Sequence, residues 1–529
     1  MTSSQHHILS GGKWKVSHAT AQFQGVNPRT TKKLPELYPV SPWADLEVIL
    51  DEAAMAFAQL KDIAPDRRAV FLDHYADAID SHKEQLAQQA EMETALPSAT
   101  RLARVEIPRT VDQLRQAARA TGERSWTMAT IDTTVNLRSM FIPLGPVVVF
   151  GPNNFPFAYN SVSGGDFAAA VAAGCPVIAK GHPAHPSTTR LLAELALRAI
   201  TETNMPPALL QLVYHLAPEN GTRLVSDTRV GAIAFTGSRH AGLILKAAAD
   251  KAGKPIFLEM GSLNPIVLLP GALDERFDDI FTQVVTSCLL GMGQFCTNPG
   301  ILLFLDGART HEFLLRMQDH YQSAAIGTFL TEGVRTNLIQ SITMLLQAGA
   351  ELIAGGKPEG GEGFSHQHTL MKTTGVNFLR RPLDMQREAF GNATLAVVAK
   401  DLDELAAVLG TFEGQLCGGI YSHSASADEG AYDLLAPILR QRVGRFLNDK
   451  MPTGVLVSSA QNHGGPFPAT GHPHFTAVGF PASVRRFTML AAFDNVRPQR
   501  LPSELMDKNP TGTMWRLIDS QWSTQDVTT

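Results

Sequence analysis

Between Pro146 and Met260 the chain repeats one pattern: a short apolar run, a turn rich in Gly, Pro or Asn, then a longer stretch with apolar residues at helical spacing. Val147 to Phe150 predicts a strand that breaks at Gly151-Pro152-Asn153-Asn154, and the Ala-rich segment 166–173 stops at Gly174 before a second strand from Pro176 to Lys180. The same pattern predicts helices over 187–201, 221–228 and 240–251, and strands over 209–214, 230–236 and Pro255 to Met260. Short strands alternating with helices favour right-handed crossovers and a parallel sheet whose ligand loops lie at the strands' carboxyl ends. Upstream, helices are expected over 44–61 and 73–95. Downstream, a second alternating region covers 264–470, and 125–145 and 484–500 read as extended segments outside the two main bodies. The stretch 503–529 is polar throughout, with Met514, Trp515 and Leu517 as its docking candidates.

Composition narrows the class. With 529 residues, 44% hydrophobic and 18% charged, the chain suits several globular domains rather than a disulfide-stapled miniprotein or a disordered polymer. Lys and Arg total 45 against 50 for Asp and Glu, so the net charge is -5, and no long basic tract offers a nucleic-acid surface. The opening MTSSQHHILSGGKWK lacks the apolar core of a secretory signal, and no apolar run matches a membrane span. A cytoplasmic protein is expected. The four cysteines, Cys175, Cys288, Cys296 and Cys417, show no CxxC or compact zinc spacing. His463, His472 and His474 share a Gly/Pro-rich stretch, but HxH without an acidic ligand set does not make a metal site, and none is expected.

Three residues stand where chemistry is done. Cys296 lies in the small, polar GQFCTNPG at 293–300, where it is either a buried small hydrophobe or a thiolate beside backbone N–H groups, able to attack a carbonyl. Glu259 ends the apolar run Ile256-Phe257-Leu258, as a solvent-seeking charge or as a desolvated general base. Asn154 follows the first strand, as turn material or as an amide donor to an oxyanion. The turn Phe235-Thr236-Gly237-Ser238 lacks the GxGxxG fingerprint, yet it leads into a helix start that presents N–H groups to a phosphate.

Taken together, PLGPVVVFGPNNFPFA at 143–158, AGCPVIAKGHPAHPST at 173–188, AFTGS at 234–238, LEMGSLNPIVLL at 258–269, GQFCTNPG and EAFGNATLAVV at 388–398 resemble the aldehyde dehydrogenase superfamily over about residues 5–502. The second of these, with QNHGGPFPATGHPHFTAVG at 461–479, resembles the branch that holds NADP-dependent 2,5-dioxopentanoate dehydrogenases and related fatty-aldehyde dehydrogenases. The resemblance implies an α/β fold: a Rossmann-like cofactor domain (1–124 and 146–261), an α/β catalytic domain (262–483), a small β oligomerisation extension (125–145 and 484–502) and a polar C-terminal tail (503–529).

It also implies roles: Cys296 as nucleophile, Glu259 as base and Asn154 as oxyanion donor, with Phe150, Gly151, Pro152, Lys180, His182, Pro183, Gly237, Ser238, Gly261, Glu388 and Phe390 around the cofactor. Pro183 stands where NAD-preferring members often carry a glutamate, so repulsion of a 2′-phosphate is absent and NADP is implied, with NAD as the alternative. The implied reaction takes 2,5-dioxopentanoate (alpha-ketoglutaric semialdehyde) to 2-oxoglutarate through a cysteine thiohemiacetal and thioester. Medium- or long-chain aldehydes are the rival substrates, and a noncatalytic homologue is the rival class. Phe155, Phe157, Tyr159, Phe295 and Phe467 either line an apolar entrance or pack the core. Arg138, Arg442, Arg445 and Arg485 are the candidates for holding a substrate carboxylate. A homodimer or homotetramer is expected.

Overall fold

The computed structural model describes residues 6–528. Its first sheet has seven strands in the order Ile256–Glu259, Ala232–Thr236, Val147–Phe150, Val177–Lys180, Leu210–Val213, Ile8–Ser10 and Lys13–Lys15. The first five run parallel, and the last two form an antiparallel hairpin along the edge. The parallel strands are covered on both faces, which is why they read as continuous apolar runs rather than alternating ones. Strand order reverses beside Val147–Phe150, so the crevice at the carboxyl ends opens there.

A second seven-stranded sheet has the order Glu351–Ala354, Thr369–Thr374, Ala393–Ala399, Ile301–Leu305, Ile266–Leu268, Gln415–Tyr421 and Val443–Asn448, parallel except at its first strand. Only residues 260–265 separate Glu259, the last residue of one sheet, from Ile266, the first of a strand in the other. The chain therefore crosses directly from sheet to sheet, and the carboxyl ends of the first face the amino ends of the second.

The helix expected over 73–95 is two helices, Pro65–Ser81 and Lys83–Thr94, broken at His82, whose ring nitrogen bonds the Ala78 carbonyl at 2.8 Å. After them comes a π-helix, Ser98–Glu106, continuous with the helix Ile107–Glu123. Its i→i−5 bonds displace the side chains from the spacing a period search detects, and π segments recur at functional sites.

A third sheet joins Thr488–Asp494, Leu137–Pro143, Thr130–Asp132, Arg516–Ile518 and Gln521–Ser523. The polar stretch beyond residue 502 thus supplies two of its strands. Asp519 and Ser520 at the hairpin turn have φ values of 46° and 67°, the positive pair of a tight turn. Arg516 is fully buried, its charge satisfied by donation to the carbonyls of Met506, Asp507 and Gln525. Met514 packs with Ile131 and Met140, whereas Trp515 is 51% exposed.

Candidate active site

The face-to-face arrangement of the sheets encloses a cavity of about 390 Å³. From the first sheet it is lined by Phe150, Gly151, Pro152, Asn154, Lys180, His182, Gly237, Ser238 and Glu259, all at or just past strand ends. Gly261, Cys296, Glu388 and Phe390 close it from the crossing segment and the second sheet, and Pro183 stands outside the lining.

Glu259 ends its strand only 4% exposed. Its Oε1 lies 2.8 Å from His463 Nε2, and its Oε2 has no hydrogen-bond partner among the described residues. The same Nε2 lies 3.5 Å from Cys296 Sγ, so one imidazole stands between thiol and carboxylate. Burial, reinforced by the neighbouring Glu259, holds the Cys296 thiol well above its ordinary pKa, and the Arg109 guanidinium opposes the rise. Sequence reasoning noted His463 only as part of a histidine-containing loop. Its contact with residues more than 160 positions away had no local signal.

The Cys296 loop is tied down from within the second sheet. Asn264 Nδ2 donates to the carbonyls of Cys296 and Asn298 at 2.9 and 2.8 Å, and Asn154 Nδ2 donates to the Gln294 carbonyl at 3.0 Å. Asn154 thereby keeps one amide N–H for the cavity. Asn264, at φ 51°, is a second residue that sequence reasoning missed; its Asn-Pro context reads only as a turn.

On the cofactor side, Lys180 is lowered to about 8 by burial, and His182 falls well below its usual value through burial beside that ammonium. His182 Nδ1 accepts the Ala184 N–H at 3.1 Å. Ser238 caps the helix Arg239–Lys251 by accepting the Ala241 N–H at 3.3 Å, while the Gly237 N–H donates to the Glu259 carbonyl at 3.1 Å. Free N–H groups for an anion are therefore those that open the helix, not that of Gly237. The Glu388 carboxyl, raised to about 7 by burial, accepts the Ser262 N–H at 3.3 Å. A Cβ on Gly261 would stand 1.7 Å from Glu388 Oε2, so the close approach of the two requires glycine.

Phe155, Tyr159 and Phe295 cluster with Val455, Val457 and Val478 against Cys296. The rings of Phe155 and Phe295 meet edge-on at 5.6 Å. Phe157 is fully buried in the core of the first sheet. Phe467 is not part of the cluster: it is 53% exposed and lies under the Arg239 guanidinium at 5.8 Å, because its loop turns toward the mouth between the sheets.

None of the four arginines singled out from sequence serves the site. Arg138 pairs with Asp507 at 2.7 Å, Arg442 donates to the Gly410 carbonyl at 2.7 Å, Arg445 donates to the Pro452 and Gly454 carbonyls, and Arg485 packs over Phe141. Two others, brought in by the π-helix and its continuation, flank the aromatic cluster. Arg101 stacks 4.8 Å from the Phe155 centroid but is neutralised by the buried Glu106 at 3.1 Å. Arg109 stacks 5.1 Å from Tyr159 and donates to its hydroxyl at 3.0 Å and to Gln113 at 3.2 Å, with no carboxylate partner among the described residues.

No helix among the described residues is long and apolar enough to cross a membrane. Similarity to known proteins agrees with the geometry. The chain is 38% identical over 491 residues to alpha-ketoglutaric semialdehyde dehydrogenase 2 of Azospirillum brasilense, covering 90% of this chain and 91% of that one. It is 31% identical over 510 residues to alpha-ketoglutaric semialdehyde dehydrogenase of Acinetobacter baylyi, covering 94% and 95%. Among solved structures, the NAD+ complex of a Bacillus cereus aldehyde dehydrogenase superposes with a TM-score of 0.79 at 18% identity, over 93% of this chain and 96% of that one, a likeness of fold alone. PnpE from Pseudomonas sp. WBC-3 gives 0.79 at 20% identity, over 94% and 100%. Residues 14–433, which hold both the strand that ends in Glu259 and the loop that carries Cys296, match the model of the aldehyde dehydrogenase family, and the chain belongs to that family.

Proposed function

We propose that the protein oxidises 2,5-dioxopentanoate, alpha-ketoglutaric semialdehyde, to 2-oxoglutarate with NADP. The observation that carries this reading is Arg109, a guanidinium with no carboxylate partner among the described residues, set beside the aromatic rings that lead to Cys296; a substrate with a carboxylate at the end distal to its aldehyde supplies that partner. Both curated relatives described above are named for this semialdehyde.

The cavity fits a nicotinamide dinucleotide. Lys180 and the start of the helix Arg239–Lys251 meet its anionic half, and the buried Glu388 lacks a hydroxyl donor of the kind a ribose provides. Among the described residues the carboxylates in the lining are Glu259 and Glu388, neither of them beside Lys180 and His182, so repulsion of a 2′-phosphate is absent there and NADP is the preferred form. When bound, the dinucleotide accepts the two electrons and the hydrogen that leave the substrate's aldehyde carbon.

The protein's own groups do the rest. Cys296 Sγ attacks the carbonyl while its proton moves to the lone pair of His463 Nε2, and the imidazolium so formed is held by the Glu259 carboxylate beside the same nitrogen. The second amide N–H of Asn154 and the Cys296 N–H stabilise the oxyanion. After oxidation the carbon is a thioester on Cys296; the imidazolium releases its proton to solvent, and the Glu259 carboxylate takes one from water for hydrolysis. The enzyme acts in the cytoplasm as a homodimer or homotetramer; the exposed Met489 and Leu490 on the edge strand Thr488–Asp494 support a subunit contact there.

Initial rates with 2,5-dioxopentanoate, succinate semialdehyde and medium-to-long aliphatic aldehydes, each with NAD and NADP, test the reading. Arg109→Leu is expected to lower kcat/KM for the dioxo acid by roughly 10- to 100-fold, the worth of one charged hydrogen-bonded contact, and to leave an aliphatic aldehyde near its parent rate. A parent enzyme that prefers long aliphatic aldehydes overturns the substrate and makes the Phe155/Phe295 wall the specificity element.

A further inference from the structure

We infer that Cys296, His463 and Glu259 form a reversible binding site for one zinc-class divalent cation, and that occupation of this site switches the enzyme off. The inhibitory consequence rests on Cys296 being the nucleophile, as proposed above; the binding rests on geometry alone.

Sγ, Nε2 and a Glu259 carboxylate oxygen all lie within 4.8 Å of one another, with Sγ to Nε2 at 3.5 Å and Nε2 to Oε1 at 2.8 Å. A tetrahedral zinc ion with ordinary bond lengths to sulfur, nitrogen and oxygen separates these atoms by about 3.6 Å and about 3.4 Å. The sulfur–nitrogen pair is already spaced for the ion, and the carboxylate needs to open by only about half an ångström. A second observation points to a ligand: Glu259 Oε2 is buried with no hydrogen-bond partner among the described residues, a carboxylate oxygen able to join or relay the coordination.

The outer contacts fix the set. His463 N–H donates to Thr476 Oγ1 at 2.8 Å, Asn264 holds the Cys296 carbonyl at 2.9 Å, and Glu259 is the last residue of a strand. Ligands held in this way do not have to be ordered by the ion. A thiolate, an imidazole and a single carboxylate select a soft or borderline cation over magnesium or calcium. Three protein ligands leave a fourth position, which opens on the cavity that Cys296 and Glu259 line.

Binding is an acid–base exchange without redox change: the S–H bond breaks, a sulfur–metal bond forms, and the proton leaves to solvent. With its sulfur and carboxylate lone pairs engaged, the site loses nucleophile and base together. His472 and His474, the HxH of the sequence, take no part; the His472 ring packs 5.3 Å from that of Phe257.

The test titrates the full-length enzyme with Zn²⁺ and Co²⁺. Calorimetry is expected to give one equivalent, Co²⁺ a thiolate charge-transfer band in the near ultraviolet, and Zn²⁺ an inhibition competitive with aldehyde and reversed by a chelator. His463→Gln and Glu259→Gln are each expected to weaken calorimetric binding by more than roughly 100-fold, since losing a ligand costs more than losing an outer partner. The double variant H472N/H474N is expected to bind as the parent does. A Co²⁺ complex without a thiolate band, full affinity in both single variants, or loss of binding in H472N/H474N overturns the site. One equivalent with the thiolate band in a protein that oxidises no aldehyde upholds the site and overturns the catalytic reading instead.

Discussion

The two seven-stranded sheets present opposite ends to the same cavity, and each end does a different kind of work. The first sheet offers carboxyl ends: Phe150, Lys180, Thr236 and Glu259 are the last residues of their strands. The second offers amino ends. Cys296 precedes Ile301–Leu305, Glu388 precedes Ala393–Ala399, Asn264 precedes Ile266–Leu268, and Gln415 opens its strand by accepting the Leu263 N–H at 2.7 Å. Carboxyl ends place side chains on short turns beside helix starts, which suits the binding of an anionic cofactor. Amino ends are reached by loops, and here Asn264 and Gln415 stitch those loops together into the mount of a nucleophile. The lesson is that the rule placing ligands at carboxyl ends describes only half of a site built between two sheets.

The largest effect expected is at the join. In Glu259→Gln the first sheet loses its base while Cys296 is untouched, so rapid-quench and stopped-flow measurements should show one equivalent of reduced cofactor formed per site, then turnover slowed by roughly 10²- to 10⁴-fold. A uniform loss of burst and steady state would mean that Glu259 serves the attack alone. His463→Gln comes next: kcat is expected to fall by roughly 10²-fold, with the rate of iodoacetamide capture of Cys296 falling in parallel, because the thiol loses the base through which its proton leaves.

Gly261→Ala sharpens the comparison at the crossing segment. Its Cβ would collide with Glu388, so the KM for cofactor should rise by roughly 10-fold while thermal stability changes little, the carboxylate being able to swing into the cavity. A fall in Tm without a change in KM would make the contact structural.

The smallest effect is a pH dependence confined to the first sheet. Lys180 is charged below about 8 and loses its proton above it, so cofactor affinity should decline by a few-fold between neutral pH and pH ~9, more for NADP than for NAD. A decline of equal size in Lys180→Met would show that another group titrates.

The comparison also explains what could be read in advance. Parallel strands buried on both faces and flanked by glycine turns left an unambiguous pattern over 146–260, and Val147–Phe150 falls where that pattern puts it. The helices Pro65–Ser81 and Lys83–Thr94 read as one over 73–95 because their apolar spacing carries across the break at His82. The polar residues of 503–529 hid its two strands, since a polar side chain satisfied by backbone carbonyls, as Asn509 and Arg516 are, is indistinguishable in sequence from one satisfied by water.

By itself, the sequence determined the alternation that yields the parallel sheet, the strand-end position of Glu259, the loop position of Cys296 and the family motifs around them, all of which depend on residues close in the chain. The tertiary structure alone decided which distant side chains complete the site: His463 between thiol and carboxylate, Asn264 beneath the Cys296 loop, and Arg109, rather than any arginine chosen from sequence, beside the aromatic entrance. These are contacts between separate elements, set by how two sheets and a π-helix pack, and no local periodicity or turn chemistry encodes them.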